Sequence, residues 1–283
     1  MDRRKTEEGI FKGVMIASTL VILGTLALIL GTILARGLPA LDLAMITQTP
    51  KGGFYLGKEG GVLNAIVGSL YLAGGATLLA FLAGLPIAFY LTIYARKSSR
   101  LASLTRFSLD VLWGVPSIVY GAFGFTIMML LGLRASLLAG IIAVALLILP
   151  IMTRAMDEVI RAVPRELLDA SYALGTTRLE TATRVLARQA LPGILTAVLI
   201  AFGRGIGDAA SVIFTAGFTD HIPTSLSQPA ATLPLAIFFQ LGTPVPEVQE
   251  RAYASALILT FIILIISAVA RLTAARQARH VVR

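Results

Sequence analysis

Long apolar runs recur along this chain, and they constrain its fold more than any other feature. A bilayer core of ~30 Å is crossed by a helix of about 20 apolar residues. Charge-free runs of that order lie at Val14 to Ala35, Val111 to Leu133, Ala135 to Thr153 and Ala252 to Ala270. The chain is 57% hydrophobic and 14% charged, with a mean hydropathy of +0.85, which lies outside the range of soluble proteins. We therefore predict an all-α polytopic membrane protein.

Two more spans complete the prediction. The apolar run from Gly60 to Ala95 is too long for one upright helix. We place a span at Tyr71 to Tyr94 and an interfacial entry segment at Gly60 to Leu70. The remaining span is Gly193 to Phe214. Six transmembrane helices place both chain termini on the same side of the membrane.

Basic residues indicate which side that is. Eighteen Lys and Arg residues lie on the face that carries both termini, against five on the opposite face, with Arg204 inside a span. By the positive-inside rule, the face rich in Lys and Arg is cytoplasmic. We predict a cytoplasmic N-terminal segment at 1–13 and one transmembrane domain at 14–283. The net charge of +9 follows from this topology and requires no nucleic acid.

A polar helical hairpin, residues 157–192, interrupts the apolar runs on the cytoplasmic face. Pro164 suits a first helical position, and Gly175 suits the left-handed residue that ends a helix. Thr177 and Glu180 form a capping-box pattern for a second helix. Such a segment faces a soluble partner or folds over the base of the protein. A DNA-binding helix-turn-helix is disfavoured because membrane spans adjoin both ends.

Two charges lie within a predicted span. Arg204 lies 13 residues beyond Leu191, about 20 Å along a helix at ~1.5 Å per residue. A charge at that depth costs at least ~2.5 to 3.5 kcal/mol, so it should face a cavity or a partner. Asp208, four residues on, is expected to share its face and neutralise it. The pair is either an anion site, with the Arg204 fork on an oxyanion, or a structural ion pair between subunits.

Small residues near these charges extend the candidate substrate pathway. Gly205 and Gly207 would let a substrate or another helix approach closely, although packing between membrane helices is the commoner use of glycine. Ser117 follows Pro116 inside a span, where a membrane helix can bend. Its hydroxyl either contributes to the pathway or bonds to its own backbone.

The sequence offers little evidence for a catalytic site or a metal site. The chain has no cysteine, and its two histidines lie near no cluster of carboxylates. The segment from Gly52 to Lys58 matches the start of a phosphate-binding loop, but Glu59 stands where a magnesium-binding Ser or Thr belongs. We predict no catalytic residue, no metal and no cofactor. Any ATP hydrolysis is expected in a separate ATPase subunit.

The hairpin carries a recognisable motif. Asp169-Ala170-Ser171, followed after three residues by Gly175, resembles the EAA motif of ABC importer permeases, the cytoplasmic loop that docks into the ATPase. In this chain Asp replaces the usual Glu, and the downstream Leu191-Pro192 lies four residues later than in the motif. The resemblance implies that Asp169, Ala170, Ser171 and Gly175 contact the ATPase.

Further segments narrow the resemblance to one family, the PstA-type permease subunits of phosphate-specific ABC importers. The similar segments are Asn64 to Leu70, Gly84 to Ala88, Val115 to Gly121, Leu191 to Ile194, Arg204 to Asp208, Phe214 to Gly217 and Leu233 to Phe238. The resemblance implies a type I ABC importer permease architecture with a cytoplasmic coupling helix. It implies that the chain forms half of a pathway that imports inorganic phosphate across a prokaryotic cell membrane.

The same resemblance implies a set of partners. These are a homologous PstC-like permease, a PstB-like ATPase dimer and an external PstS-like phosphate-binding protein, which the loop at 217–250 would contact. Three alternatives remain at this point: an importer of another oxyanion such as sulfate, molybdate or phosphonate; an ion-coupled secondary transporter; and a membrane-embedded hydrolase. A secondary transporter would need no ATPase-docking hairpin, and a hydrolase would need a nucleophile and base that the sequence does not offer.

Overall fold

The fold is almost entirely helical. The structure is a computed structural model that describes residues 3–51, 59–95 and 99–277. Its helices are α1 (Arg3–Ala40), α2 (Leu43–Thr47), α3 (Leu63–Phe89), α4 (Arg100–Trp113), α5 (Ser117–Leu130), α6 (Leu137–Arg161), α7 (Arg165–Ala173), α8 (Arg178–Glu180), α9 (Ala187–Ile206), α10 (Leu233–Leu241) and α11 (Pro246–Gln277). π-Helical segments, Tyr90–Tyr94 and Thr181–Leu186, extend α3 and join α8 to α9. Strands β1 (Pro50–Lys51) and β2 (Glu59–Gly60) form a small antiparallel pair. The segment from Gly52 to Lys58, whose sequence matches the start of a phosphate-binding loop, lies outside the described residues.

Five helical stretches of the described chain are long and apolar enough to cross a membrane. They are α1, α3, α6, α9 with the turns before it, and α11. The pair α4 and α5 makes a sixth if it counts as one span. The all-α polytopic prediction is therefore confirmed.

The prediction of one helical span at Val111 to Leu133 is wrong, because the segment contains two helices. The structure breaks it between Trp113 and Ser117, and α4 and α5 meet there at a bend of 100°. Pro116 has no N–H to donate to the preceding turn, so it begins a new helix instead of bending an old one. The helix before the break also begins earlier than predicted, at Arg100.

The predicted interfacial segment Gly60 to Leu70 is also corrected, because most of it forms the first turns of α3. Its polar side chains have partners inside the protein. The Asn64 amide nitrogen donates to the carbonyl of Thr219 at 2.7 Å, and the Ser69 hydroxyl accepts from the backbone N–H of Leu233 at 2.8 Å. These bonds tie the start of α3 to the chain that precedes α10.

The last predicted span, Gly193 to Phe214, ends early, since α9 stops at Ile206. The chain from 207 to 232 contains no helix. Ser211, Val212, Thr215, Ala216 and residues 230–232 are buried against the bundle, whereas most of 221–229 is exposed. Backbone bonds hold it there: the N–H of Ser136 donates to the carbonyl of Thr215 at 3.0 Å, and the N–H of Ala230 donates to that of Ala216 at 3.0 Å. Irregular backbone is tolerated in a membrane protein where protein surrounds it.

α6 is the centre of the bundle. Of the residues in its apolar stretch, 61% are buried, whereas none of those in the apolar stretch of α1 are buried. Val144, Ile148 and Met152 of α6 are fully enclosed, and the neighbouring helices are α3 and α9. α1 packs against α11, where the Arg36 guanidinium lies 5.2 Å from the ring centre of Tyr253.

Gly68 of α3 tests this packing, because a Cβ there would overlap the carbonyl oxygen of Ala231. We expect Gly68→Ala to lower the free energy of unfolding by about 1–3 kcal/mol. The matched control is Gly74→Ala in the same helix, where a Cβ meets no atom within 4 Å. The control should be neutral or stabilising by about 0.5–1 kcal/mol, because it removes the helix-weakening effect of glycine. Thermal unfolding in detergent measures both, and equal shifts for the two variants would contradict the packing.

Candidate functional site

The polar hairpin has the local structure that its sequence predicts. α7 ends at a turn in which Gly175 has a φ of +80°, the left-handed conformation that glycine adopts most readily. The capping box is formed: the Thr177 N–H donates to the Glu180 carboxylate at 2.9 Å, and the Glu180 N–H donates to the Thr177 hydroxyl at 3.3 Å. The corner between α7 and α8 is therefore a defined shape.

Three hydroxyl groups hold this corner together. Ser171 Oγ lies 2.6 Å from Thr176 Oγ1 and 3.1 Å from Thr181 Oγ1, and the two threonine oxygens are 3.0 Å apart. Thr176 also donates to the Ser171 carbonyl at 2.8 Å. Ser171 is buried, so its side chain shapes the corner from inside. The sequence placed Ser171 among the docking residues without revealing this network.

The outer surface of the corner is open. Asp169, Ala170 and Gly175 are exposed, and Leu174 beside them is 86% exposed. The predicted docking residues thus lie together, three on the surface and Ser171 beneath them.

The expected pairing of Arg204 with Asp208 is not formed. Asp208 lies beyond the end of α9, so the two residues do not share a helix face. The buried Asp208 carboxylate instead accepts from the Ser211 N–H at 2.8 Å and from the Ser211 hydroxyl, capping the turn that follows. Arg204 forms no hydrogen bond or ion pair with any residue that the structure describes.

Arg204 lies on an exposed face of α9 that is rich in glycine. Ile200 is 56% exposed, Gly207 is exposed, and a Cβ on Gly203 would meet no atom within 4 Å. Gly205 points the other way, since a Cβ there would lie 3.1 Å from the side chain of Val144 on α6. Gly205 therefore packs the helix, and Gly203, Arg204 and Gly207 form the open α9 face.

Ser117 begins α5, and its hydroxyl makes no hydrogen bond to the described residues, so the predicted bond to its own backbone is absent. One turn later, a Cβ on Gly121 would lie 2.8 Å from the carbonyl oxygen of Ala210. α5 thus packs against the turn that Asp208 caps. Ser117 and Asp208 are brought to neighbouring elements, while Arg204 faces outward from α9.

A buried charge cluster was missed by the sequence analysis. Asp157 of α6 is fully buried and accepts from Arg106 Nε at 2.8 Å and Arg106 Nη2 at 3.1 Å. Arg154 Nη1 lies 3.3 Å from the same carboxylate, and Arg154 Nε donates to Asp110 at 2.8 Å. The available signal was the i,i+4 spacing of Arg106 and Asp110, which places both charges on one face of an amphipathic helix.

Metal ligands are absent from the part of the chain that the structure describes. No three residues among its His, Asp and Glu side chains are grouped so that they could hold a metal ion.

Known proteins resemble the chain over most of its length. Residues 76–283 match the model of the binding-protein-dependent transport system inner membrane component family. The chain is 34% identical over 270 residues to the phosphate transport system permease protein PstA of Haemophilus influenzae, covering 95% of this chain and 94% of the relative. It is 35% identical over 283 residues to the phosphate transport system permease protein PstA 1 of Mycobacterium tuberculosis, covering 98% and 91%.

Solved structures share the fold at low sequence identity. A chain of the MetNI methionine ABC transporter, in an inward-facing conformation, superposes with a TM-score of 0.60 at 19% identity, covering 78% of this chain and 96% of that one. A chain of a bacterial ABC transporter involved in the import of the acidic polysaccharide alginate gives a TM-score of 0.60 at 15% identity, covering 96% and 99%.

The hydroxyl network of the corner generates a prediction. Ser171→Ala removes the oxygen that links both threonines, so local opening of residues 165–181 should become easier by about 1 kcal/mol, or roughly fivefold. Hydrogen exchange of the hairpin amides measures this. Thr183→Val is the control, because the exposed Thr183 hydroxyl donates only to the Leu179 carbonyl within its own helix. Equal protection in the Ser171 variant and the parent would show that the network does not hold the corner.

Proposed function

The chain belongs to the binding-protein-dependent transport system inner membrane components, and we propose that it is the permease subunit of an ABC importer of inorganic phosphate. The relatives named as phosphate transport system permeases cover nearly all of the chain, and they support phosphate over another oxyanion or an ion-coupled mechanism. The chain is a transport subunit and not an enzyme. ATP hydrolysis belongs to a separate subunit.

The observation that carries the substrate assignment is that the Arg204 guanidinium has no partner among the residues that the structure describes. Arg204 lies in the last turn of an apolar helix. If it faces the membrane interior, its charge needs an opposite charge, water or an anion, because hydrocarbon cannot solvate it. A guanidinium presents a planar fork of donors that matches two oxygens of one phosphate. The Asp208 carboxylate accepts from Ser211 and does not neutralise the guanidinium, so a passing anion can bind Arg204.

The open α9 face gives the anion room to reach Arg204. Gly203 and Gly207 flank the guanidinium with no side chains, so a hydrated oxyanion or a facing helix can approach closely. We assign Arg204 and Gly207 to the pathway wall and Ser117 to its border, with its free hydroxyl as a further donor. Gly205 and Asp208 support this wall from behind, through Val144 and Ser211.

A second, PstC-like permease would complete the pathway. The charge on the open α9 face has no partner within the described part of the chain, and a homologous subunit with a similar face would enclose it. We place the PstS-like phosphate-binding protein against the exposed tip at 221–229, within the external loop 217–250. The middle of that loop is unsuited to docking, because Leu233 to Ala236 are buried in the bundle.

The hairpin 157–192 is the proposed contact with the PstB-like ATPase dimer. Ala170 and Leu174 are exposed on a corner whose shape depends on Gly175 and the Ser171 network, and a rigid corner can transmit force into a groove. We accordingly place the hairpin, the segment 1–13 and both termini in the cytoplasm. The transmembrane domain is 14–283 in a prokaryotic cell membrane, in contact with lipid and without nucleic acid.

Ala170→Asp tests the docking surface. A charge buried in the contact would weaken association with the ATPase by about 1–3 kcal/mol, or roughly 5- to 150-fold, while the spans and their insertion stay unchanged. Co-purification of the ATPase with the tagged permease measures this. Thr183→Asp is the control, an equal charge on an exposed hairpin position outside the corner. Normal ATPase recovery and uptake with Ala170→Asp would remove the docking assignment.

Arg204→Gln tests the anion contact. The change keeps much of the side chain's length but removes its charge, so phosphate uptake by the assembled complex should fall by about 10- to 100-fold, the equivalent of ~1.5–3 kcal/mol. Assembly should persist, because Asp208 keeps its own partner and is not left unpaired. Lys12→Gln, which removes a charge from the exposed start of α1, is the control.

The double change of Arg204→Gln with Asp208→Asn separates the anion site from a structural pair. If Arg204 meets Asp208 only in the assembled transporter, neutralising both should restore assembly and uptake together. If Arg204 binds the anion, uptake stays low in the assembled double variant. We expect the second outcome, and near-native uptake would refute the anion site.

A further inference from the structure

Two ion pairs join α4 to α6, and the acid belongs to α6 in one pair and to α4 in the other. On α4 the base Arg106 precedes the acid Asp110 by one turn, and on α6 the base Arg154 precedes the acid Asp157 by three residues. Arg106 pairs with Asp157 at 2.8 Å and Asp110 pairs with Arg154 at 2.8 Å. We call these four residues the ion-pair ladder. Sliding α4 by one turn would bring like charges together, so the ladder selects one register of the two helices.

Asp157 is the buried anchor of the ladder. Its carboxylate has no exposure, and it accepts from Thr92 at 3.2 Å as well as from both sides of the Arg106 fork. Arg106 Nη2 also donates to the Leu91 carbonyl at 3.0 Å. The end of α3, α4 and α6 therefore meet at one carboxylate. A buried charge held this way is strongly destabilised by loss of its partner.

α4 has few other attachments to the bundle. Its buried side chains are Ala102 and Leu109, which form a small cluster with Leu91. Most of its apolar side chains, among them Leu104 and Phe107, point outward. Since the apolar contact is this small, the ladder rather than the core determines where α4 lies on α6.

The ion-pair ladder also connects the elements that lead to the hairpin and to the chain after α9. Asp157 is one turn before the end of α6, after which the chain turns directly into α7 of the hairpin. At its other end, α4 bends through Gly114 to Pro116 into α5. α5 in turn packs through Gly121 onto the turn at Ala210, which follows Arg204 by six residues in the chain.

We propose that the ion-pair ladder makes α4 and α5 follow α6 when the ATPase moves the hairpin, so that nucleotide-driven motion reaches the phosphate pathway. Arg106 and Asp157 are positioning residues in this scheme, because they touch neither the ATPase nor the anion. The scheme rests on the proposed docking of the hairpin. It adds the mechanical link between the hairpin and α5, which hairpin docking alone does not supply.

Arg106→Gln is the test variant in the complete transporter, with ATPase, second permease and binding protein present. We expect phosphate moved per ATP hydrolysed to fall about tenfold, because a neutral amide holds the carboxylate far less well than a guanidinium. ATP hydrolysis itself should stay within about twofold of the parent, since the hairpin is intact. A merely structural role would lower assembly, hydrolysis and uptake in parallel.

Two further variants keep the test interpretable. Arg106→Lys retains the charge and should fold, but its single ammonium cannot hold both carboxylate oxygens and the Leu91 carbonyl, so we expect an intermediate loss of about threefold. Asp110→Asn removes the outer rung, whose acid is 47% exposed, and should stay within about twofold of the parent. An unchanged ratio of phosphate to ATP in both Arg106 variants would overturn the proposal.

A distance measurement follows the motion without reference to the substrate. The chain has no cysteine, so spin labels can be placed uniquely at Thr126 of α5 and Leu79 of α3, which are both exposed. We expect ATP to change the distance between the labels in the parent and in Asp110→Asn, and the change to be lost in Arg106→Gln.

The outcomes separate this proposal from the proposed function. A distance change that persists in Arg106→Gln would overturn the ladder as a link, even if phosphate is transported. A parent with no nucleotide-dependent change at α5 would overturn it as well. The distance change could depend on Arg106 in a parent transporter that does not transport phosphate. That result would support the ladder as a mechanical link and contradict the phosphate assignment.

Discussion

Lipid hydrocarbon offers no hydrogen-bond partner, so the polar groups that this chain carries into a membrane depend on the protein itself. The spans solve this with helical backbone, and threonines such as Thr19 and Thr25 in α1 donate to the carbonyl four residues earlier. The buried parts of the irregular chain at 207–232 solve it by packing against the bundle, where the N–H of Ser136 at the start of α6 donates to the carbonyl of Thr215. The fold is therefore a helical bundle centred on α6, with a stretch of non-helical backbone packed against it.

Charged residues divide into two kinds under the same constraint. Asp157 is fully buried and surrounded by Arg106, Arg154 and Thr92, which makes it a structural element of the helix packing. Arg204 has no partner among the described residues and lies beside glycines on an open face. A satisfied charge stabilises one arrangement of helices, whereas an unsatisfied charge is available to a ligand.

Local features of the structure were predictable from the sequence because they depend on few residues. Spans followed from hydropathy, while Gly175 at the α7 turn and the capping box of Thr177 and Glu180 followed from helix-end chemistry. The boundaries at Pro116 and Ile206 did not follow. A proline can bend a membrane helix or end it, and the outcome depends on whether neighbouring elements accept the freed backbone groups.

Relations between distant elements were not predictable from spacing. The expected Arg204–Asp208 pair assumed one continuous helix, and it failed because Asp208 caps a turn with Ser211 after α9 has ended. The ion-pair ladder was not predicted, because the sequence does not indicate that α4 packs against α6. The role of Ser171 changed for the same reason, since its partners Thr176 and Thr181 become visible only when the hairpin folds.

The central claim is that this permease carries inorganic phosphate. Uptake of labelled phosphate by the reconstituted transporter, containing this chain, the second permease, the ATPase and the binding protein, tests it most directly when sulfate is added as a competitor. Our account predicts ATP-dependent phosphate uptake that excess unlabelled phosphate abolishes and excess sulfate leaves unchanged. Uptake of labelled sulfate with no accumulation of phosphate would contradict it.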